Sequence, residues 1–559
     1  MSNASLPAEL LLAVFRDVFA SQYSICSHHC STCRRIGSNH VAWGPTQAFN
    51  TADPALFPFA LAAVTPRWRA VLSTVPEYWT RPVFFLDGPN YTPLAEVLEV
   101  LWFSRNLPIE VYITRRTFPE DEDGDAVEGG EEEAERMRDV MDALKPHLPR
   151  CQHIFIHTLH SSSLPSLRHD FSGHCPFLTQ LKLESEFDDG LNTIAHVQSL
   201  PQQDFTCPAI YTLLIDGPNF REIALKDYRV WWGKAFKPTK TLIIRNLTTS
   251  AGAPAVPFTQ ALECLAVGVL SNLSALVLSN VSFDPSSISA TTAPPPNYAF
   301  TLNMLVLSRT PFSFLPHFFR YTFLGDLYTI CIESCTFSEP DVAGNPISLS
   351  PSSTPTTTIP NTFSLTLKDI SQPYHLISLL RTWNGRRLKI ISCPGFDDTV
   401  LEMMRSPLYS SSLSSSQPSS SSSSSPLLLP NDDNPDHAAI YASKLGCPNL
   451  SVLYLSHCTN FTPSALRTLI ATRNLSPEPE LSDDTTTTNT TTTTAVAGGG
   501  GGAHNNNNAG LPNTGIIELV TVTGDAPPLS DEERTEFASS DIVLWKAGIE
   551  EGGTPRGFG

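Results

Sequence analysis

Basic residues are scarce in this 559-residue chain: 36 Lys and Arg stand against 55 Asp and Glu, a formal net charge of −19. Without a basic surface there is little to displace counterions from phosphates, which argues against non-specific nucleic-acid binding. Met1 to Glu9 lacks a basic stretch feeding an apolar run, so no signal peptide is expected. Long apolar runs are missing too. The best candidate, Ala261 to Leu278, is interrupted by Glu263, Ser271, Asn272 and Ser274. It reads as a buried helix running into a strand rather than a membrane span. These absences predict an intracellular protein, of cytoplasm or nucleus, that binds neither membrane nor nucleic acid.

Catalytic signatures are missing as well. No P-loop, Gly-x-Gly-x-x-Gly, His-Glu-x-x-His or Gly-x-Ser-x-Gly pattern occurs. His153, His157 and His160 flank the strand-like run Ile154-Phe155-Ile156, and scattered carboxylates establish no acid–base pair. Arg386-Arg387 and Trp231-Trp232 read as surface and packing features that could contribute to a binding face. The expectation is a protein without enzymatic activity and without a cofactor. One cysteine cluster stays open: Cys26, Cys30 and Cys33, near His28, His29 and His40, have the ligand types for tetrahedral zinc. They lack a second Cys-x2-Cys pair, and a locally packed or flexible loop is the other reading. The remaining cysteines suit reduced, buried apolar positions.

What is present can build a core. Apolar residues make up 41% of the chain, and the length suits two to four domains. Tracts without apolar area stand out against this: serine over 410–425, threonine over 485–494, glycine and asparagine over 498–508. Residues 120–135 form an acidic block, read as a solvated loop with a helix starting near Glu135 or as a docking site for a basic partner.

The first residues predict a short amphipathic helix. Pro7 suits a first helical position, and Leu10, Leu11, Val14, Phe15, Val18 and Phe19 recur at helical spacing. After an insertion at about 20–55, Pro58 opens Phe59 to Val64. Thr65-Pro66 then reads as a cap and first-turn proline for a helix carrying Trp68 and Leu72. Helices this short bury little by themselves; they must pack on the following domain or on a partner.

Short strands dominate the rest. Val83 to Leu86 and Thr212 to Ile215 are each followed by Asp-Gly-Pro-Asn, which predicts strands stopped by turns, with Asp87 and Asp216 as turn caps. The pattern Leu-x-x-Leu-x-Leu recurs, with anchors at Leu181, Leu213, Leu242, Leu276, Leu305, Ile330 and Leu365 lying 25 to 35 residues apart. That spacing fits a strand plus a returning helix or loop, stacked because one unit cannot cover its own apolar face. The segments around 388–401 and 447–470 add a small turn residue, an aromatic and a capped helix. Asp397 or Asp398, Thr462 and Pro463 are the capping set.

Two resemblances follow from these residues. Leu6-Pro7-x-Glu9-Leu10, Val64-x-x-Arg67-Trp68-Arg69 and Ser73-Thr74-x-Pro76-x-x-Trp79 resemble the F-box module of basidiomycete-type F-box proteins, with Pro66 where that family usually has a basic or small residue. The later segments resemble the degenerate, cysteine-containing leucine-rich repeats of F-box proteins. The resemblance implies an α/β architecture: a short N-terminal helical F-box-like module followed by an irregular leucine-rich-repeat solenoid. It implies binding of a Skp1-like adaptor through Leu6, Pro7, Leu10, Leu11, Phe15, Val64, Trp68, Leu72 and Trp79, as facing or supporting residues. A target protein would be held by the repeats, which would make the chain the substrate-recognition adaptor of a Skp1–cullin–F-box ubiquitin ligase. The alternatives are a leucine-rich interaction scaffold without ligase association and an enzyme on an unrecognised α/β core. The expected organisation is the module at 1–80, a connecting α/β region at 81–174, repeats at 175–473 with a disordered insertion at 408–437, a low-complexity linker at 474–510, and a terminal strand, helix cap and tail at 511–559.

Overall fold

The computed structural model describes residues 6–22, 57–87, 91–116, 130–167, 169–189, 205–224, 233–247, 256–268, 272–281, 298–311, 314–325, 327–335, 359–360, 362–405, 407–408, 444–445, 447–474 and 516–547. The cysteine cluster, Trp231-Trp232, most of the acidic block and the Ser-, Thr- and Gly/Asn-rich tracts fall outside them. The chain divides into two compact units, 1–327 with 335–348, and 328–334 with 349–559.

Unit 1 begins with helices α1 (Ala8–Gln22), α2 (Phe59–Val64) and α3 (Pro66–Leu72) and a 3-10 turn at Pro76–Trp79. Its main strands are β1 (Val83–Phe85), β2 (Ile109–Thr114), β3 (Cys151–His160), β4 (Gln180–Phe187), β5 (Thr212–Asp216), β6 (Thr241–Leu247), β7 (Ala275–Val281) and β8 (Met304–Ser308). Each pairs in parallel with the next in chain order. Helices α4 (Leu94–Phe103), α5 (Gly130–Leu144), α6 (Gly217–Ala224) and α7 (Phe258–Gly268) lie in the connections, and α8 (Phe314–Tyr321) follows β8. Within 81–174, β1, β2 and β3 pair in register with one another and β3 with β4.

The five anchors chosen from spacing that lie in unit 1 fall on one rung, which Ile154 extends by a strand. Ile154, Leu181, Leu213, Leu242, Leu276 and Leu305 are aligned across neighbouring strands and are at most 1% exposed. Two residues on, Ile156, Leu183, Ile215, Ile244, Leu278 and Leu307 form a second buried rung. Strand side chains alternate between faces, so the period of two places both rungs in the same core.

Unit 2 repeats the plan with β9 (Thr329–Glu333), β10 (Ser364–Lys368), β11 (Arg387–Ile391), β12 (Val452–Ser456), β13 (Leu519–Gly524) and β14 (Val543–Ala547), again parallel and in chain order. Ile330, Leu365, Leu388, Leu453 and Val520 make its first rung, all fully buried. Helices α9 (Pro373–Thr382), α10 (Asp398–Arg405), α11 (Pro463–Asn474) and α12 (Asp531–Ser539) lie in the connections, with α9 on α10 and α10 on α11.

Strand ends share a backbone device. Asn246, Asn280 and Arg309 in unit 1, and Ser334, Asp369, Ser392 and His457 in unit 2, all have φ between 48° and 55°. Each sits where its strand must turn toward the connection, and the left-handed conformation makes that turn at a cost for a non-glycine residue. Asn280 Nδ2 donates to Asn246 Oδ1 at 3.1 Å. The residue after the turn points inward: Cys393 and Cys458 are buried, and their thiols donate to Leu367 O at 3.5 Å and Ile390 O at 3.7 Å, one strand back. A thiol is small enough for this corner and satisfies a carbonyl there.

Several local expectations change. Asp216-Gly217-Pro218-Asn219 does not stop the chain in a turn; α6 starts at Gly217, directly after β5. Asp216 reaches across to β4, where Oδ2 accepts the N–H and hydroxyl of Ser185. The terminal region holds a further strand beyond its helix: α12 ends at Ser539, and Trp545 belongs to β14. Val543, Leu544 and Trp545 are good strand formers, and the Trp545 ring stacks on Phe537 at 5.5 Å. Glu133, within the acidic block, is not solvated. It is 2% exposed and accepts the backbone N–H groups of Leu159 (3.0 Å) and His160 (3.2 Å) while pairing with Arg115 at 3.1 Å. Asp397 Oδ1 caps α10 by accepting the N–H groups of Thr399 and Val400, whereas Asp398 holds Thr462, the cap of α11.

Candidate functional site

The N-terminal helices are built as their sequence requires. Thr65 Oγ1 accepts the Trp68 N–H at 3.1 Å and Pro66 takes the first helical position, so proline ends α2 and opens α3 without breaking a helix interior. Phe15 of α1 meets Trp68 of α3 edge-on at 5.2 Å. Phe19, Phe57 and Tyr78 form a ring cluster with centroids 5.0–5.5 Å apart. Trp79 packs on Phe103 of α4 at 4.8 Å and donates Nε1–H to Leu72 O at 3.1 Å. The helices therefore rest on the strand region through one side.

That packing divides the nine residues of the expected interface. Leu11, Phe15, Leu72 and Trp79 are at most 2% exposed and form the support. Trp68 is half-buried against Phe15. Leu6, Leu10 and Val64 are 52%, 53% and 56% exposed, and Pro7 is exposed beside them. Val14, which the expected set omits, is 50% exposed and follows Leu10 by one helical turn; the i, i+4 spacing was the signal for it. The Arg67 guanidinium donates to Leu6 O at 2.7 Å, tying the Leu6 end of this stripe to the α2–α3 junction that carries Val64. The result is a row of large apolar side chains facing outward on well-supported helices, which suits contact with a complementary apolar surface.

Among the described residues the three histidines of β3 do not converge. His153 and His157 lie on one face of β3 and His160 on the other, and each meets a different carboxylate: Glu110 at 3.8 Å, Glu186 at 2.8 Å and Asp189 at 4.0 Å. A groove of about 470 Å³ is lined by Phe19, Glu77, Tyr78, Arg81, Glu110 and Gln152. In it Glu110 is already held by Arg81 at 3.1 Å. Burial alone would push the Glu110 carboxyl up, but the His153 hydrogen bond and the Arg81 charge leave it below the ordinary carboxylate range. A carboxylate engaged in this way is not poised as a general base near neutral pH. Among the described residues no His, Cys, Asp and Glu group has metal-binding geometry, and no helix is long and apolar enough to cross a membrane.

Compared with known proteins, the sequence matches no family model and no curated relative.

Proposed function

We propose that this chain is a substrate receptor of a Skp1–cullin–F-box type ubiquitin ligase. The helical module would dock a Skp1-like adaptor through Leu6, Pro7, Leu10, Val14 and Val64. The parallel-strand units, taken as irregular leucine-rich repeats, would hold a target protein. The observation that carries the reading is the division of the module's apolar residues into a buried supporting set and an outward stripe. The chain itself performs no chemistry in this scheme. Ubiquitin transfer follows from proximity of the held target to a charged enzyme recruited by the wider ligase, and the setting is intracellular.

Co-purification and calorimetry with Skp1 test it. Leu10→Asp and Val64→Asp remove exposed groups and leave the support intact, so each is expected to weaken adaptor binding with an unchanged melting temperature. Trp68 is unsuitable as an interface probe because its loss also unseats Phe15. Absence of binding by the wild-type chain, under conditions where a known F-box chain binds, sinks the ligase reading and leaves a leucine-rich interaction scaffold.

A further inference from the structure

The face of unit 2 opposite its core carries a feature that the overall charge does not foreshadow. Arg387 and Lys389 project from β11 on that face, while the alternating Leu388 and Ile390 are fully buried. The Arg387 guanidinium lies 5.6 Å from the centre of the Phe363 ring, and Lys389 Nζ lies 4.8 Å from the Tyr454 ring. Phe363 is in turn stacked on Tyr328, at 4.8 Å and 12°, and Tyr328 is 52% exposed. Tyr454 is fixed by a 3.0 Å hydrogen bond between its hydroxyl and that of Thr523.

Neither cation has a carboxylate partner among the described residues. Lys368 on β10, by contrast, is engaged by Glu333 and by Asp369. Glu518, exposed, lies two strands away from Arg386 in register, and Asp541, also exposed, one strand further. In a chain of net charge −19, two oriented cations without counter-charges are a local inversion of sign. Rings beneath a cation orient it and leave its charge available to a third group.

Their spacing selects a ligand. Same-face residues on a strand are roughly 6.6 Å apart, which is also the repeat of alternate side chains in an extended peptide. A peptide laid along β11 with acids at alternate positions would bring one anionic group to each cation, with its body over Tyr328, Phe363 and Tyr454. We propose that this face binds an extended acidic peptide segment with carboxylates at alternate positions. Naming that segment as part of the target protein rests on the receptor reading; the peptide binding does not. A nucleic acid is disfavoured because its continuous charge would meet the acidic remainder of the chain.

Fluorescence anisotropy with the full chain tests this, using a labelled Glu-Ser-Glu-Ser-Glu-Ser-Glu-Ser peptide, a block peptide of the same composition, the Lys-Ser counterpart and oligothymidylate. The alternating peptide is expected to bind most tightly, and more weakly as salt rises. The Arg387→Glu/Lys389→Glu double variant is expected to lose roughly tenfold in affinity, and the corresponding double Gln variant less. Both pairs sit on an open face, so melting temperatures stay unchanged. Equal binding by wild type and the double Glu variant overturns the site. Equal binding of block and alternating peptides overturns the register argument, and tighter binding of oligothymidylate overturns the choice of ligand. Skp1 binding measured on the same variants separates the two readings: its absence with peptide binding intact removes only the ligase.

Discussion

Asp216 gives the sharpest test of the packing. Its side chain is fully buried, Oδ2 takes both donors of Ser185, and Oδ1 is a buried oxygen without a hydrogen-bond partner among the described residues. Desolvation dominates and pushes the carboxyl up to about 7 from an ordinary 3.8; the Ser185 hydrogen bonds and Arg245 oppose it, and Glu184 adds to it. In the fold the group is therefore a neutral acid below neutrality, and Oδ1, which takes no donor, is the oxygen free to carry the proton. Between about pH 4 and 7 the folded state binds this proton and the unfolded state does not. Stability from this group is thus full below pH 3.8 and declines as pH rises through about 7. Ionisation costs the fold roughly 4 kcal/mol once complete. Asn is close in shape to the protonated acid: its carbonyl can accept both Ser185 donors, and its amide takes the place of the Oδ1–H. Asp216→Asn is expected to match wild type near pH 4 and to exceed it by a few kcal/mol near pH 8. Urea unfolding followed by circular dichroism across that range measures the difference directly, and histidines that titrate in both proteins cancel. A gap that does not change with pH, or an Asn variant less stable at pH 8, refutes the reasoning.

Other expectations follow from burial in the same way. Leu10→Asp removes a side chain that is half exposed, so under the proposed docking about 1–1.5 kcal/mol of apolar contact, roughly tenfold in adaptor affinity, is expected to go while the melting temperature stays put. Phe15→Ala, in the support, lowers stability by about 3–5 kcal/mol and shows as a lower midpoint in thermal unfolding. Glu133→Ala strands the N–H groups of Leu159 and His160 and the charge of Arg115, costing about 2–4 kcal/mol, with faster amide exchange at those two residues as the signature. Ser392, at φ 48°, tolerates Gly within about 0.5 kcal/mol, whereas Ser392→Val loses about 1–2 kcal/mol, read by denaturant midpoints.

The strand ladder was legible because its cause is local. A leucine or isoleucine two residues from the next, repeated at intervals that a helix or loop can span, has one economical arrangement, and the spaced anchors do share a rung in each unit. Capping was legible for the same reason: Thr65 and Thr462 lie one residue before a proline that can only begin a helix. The acid pairs resisted sequence reading. Asp397 and Asp398 are chemically identical neighbours, and only the position of Thr462 on the next unit decides which one caps and which one bridges.

The sequence by itself determined where the main leucine-bearing strands lie, that Thr65 and Thr462 cap proline-led helices, and that the first helices must find an apolar surface, since periodicity and turn chemistry act over a few residues. Tertiary structure alone decided which of the module's apolar residues are spent on support and which face outward. It likewise drew Glu133 out of an acidic run into the interior, raised the Asp216 carboxyl by removing water, and left Arg387 and Lys389 over aromatic rings without carboxylates among the described residues. Each of these depends on what a neighbouring strand or helix places within a few ångströms, and residues far apart in the chain supply those neighbours.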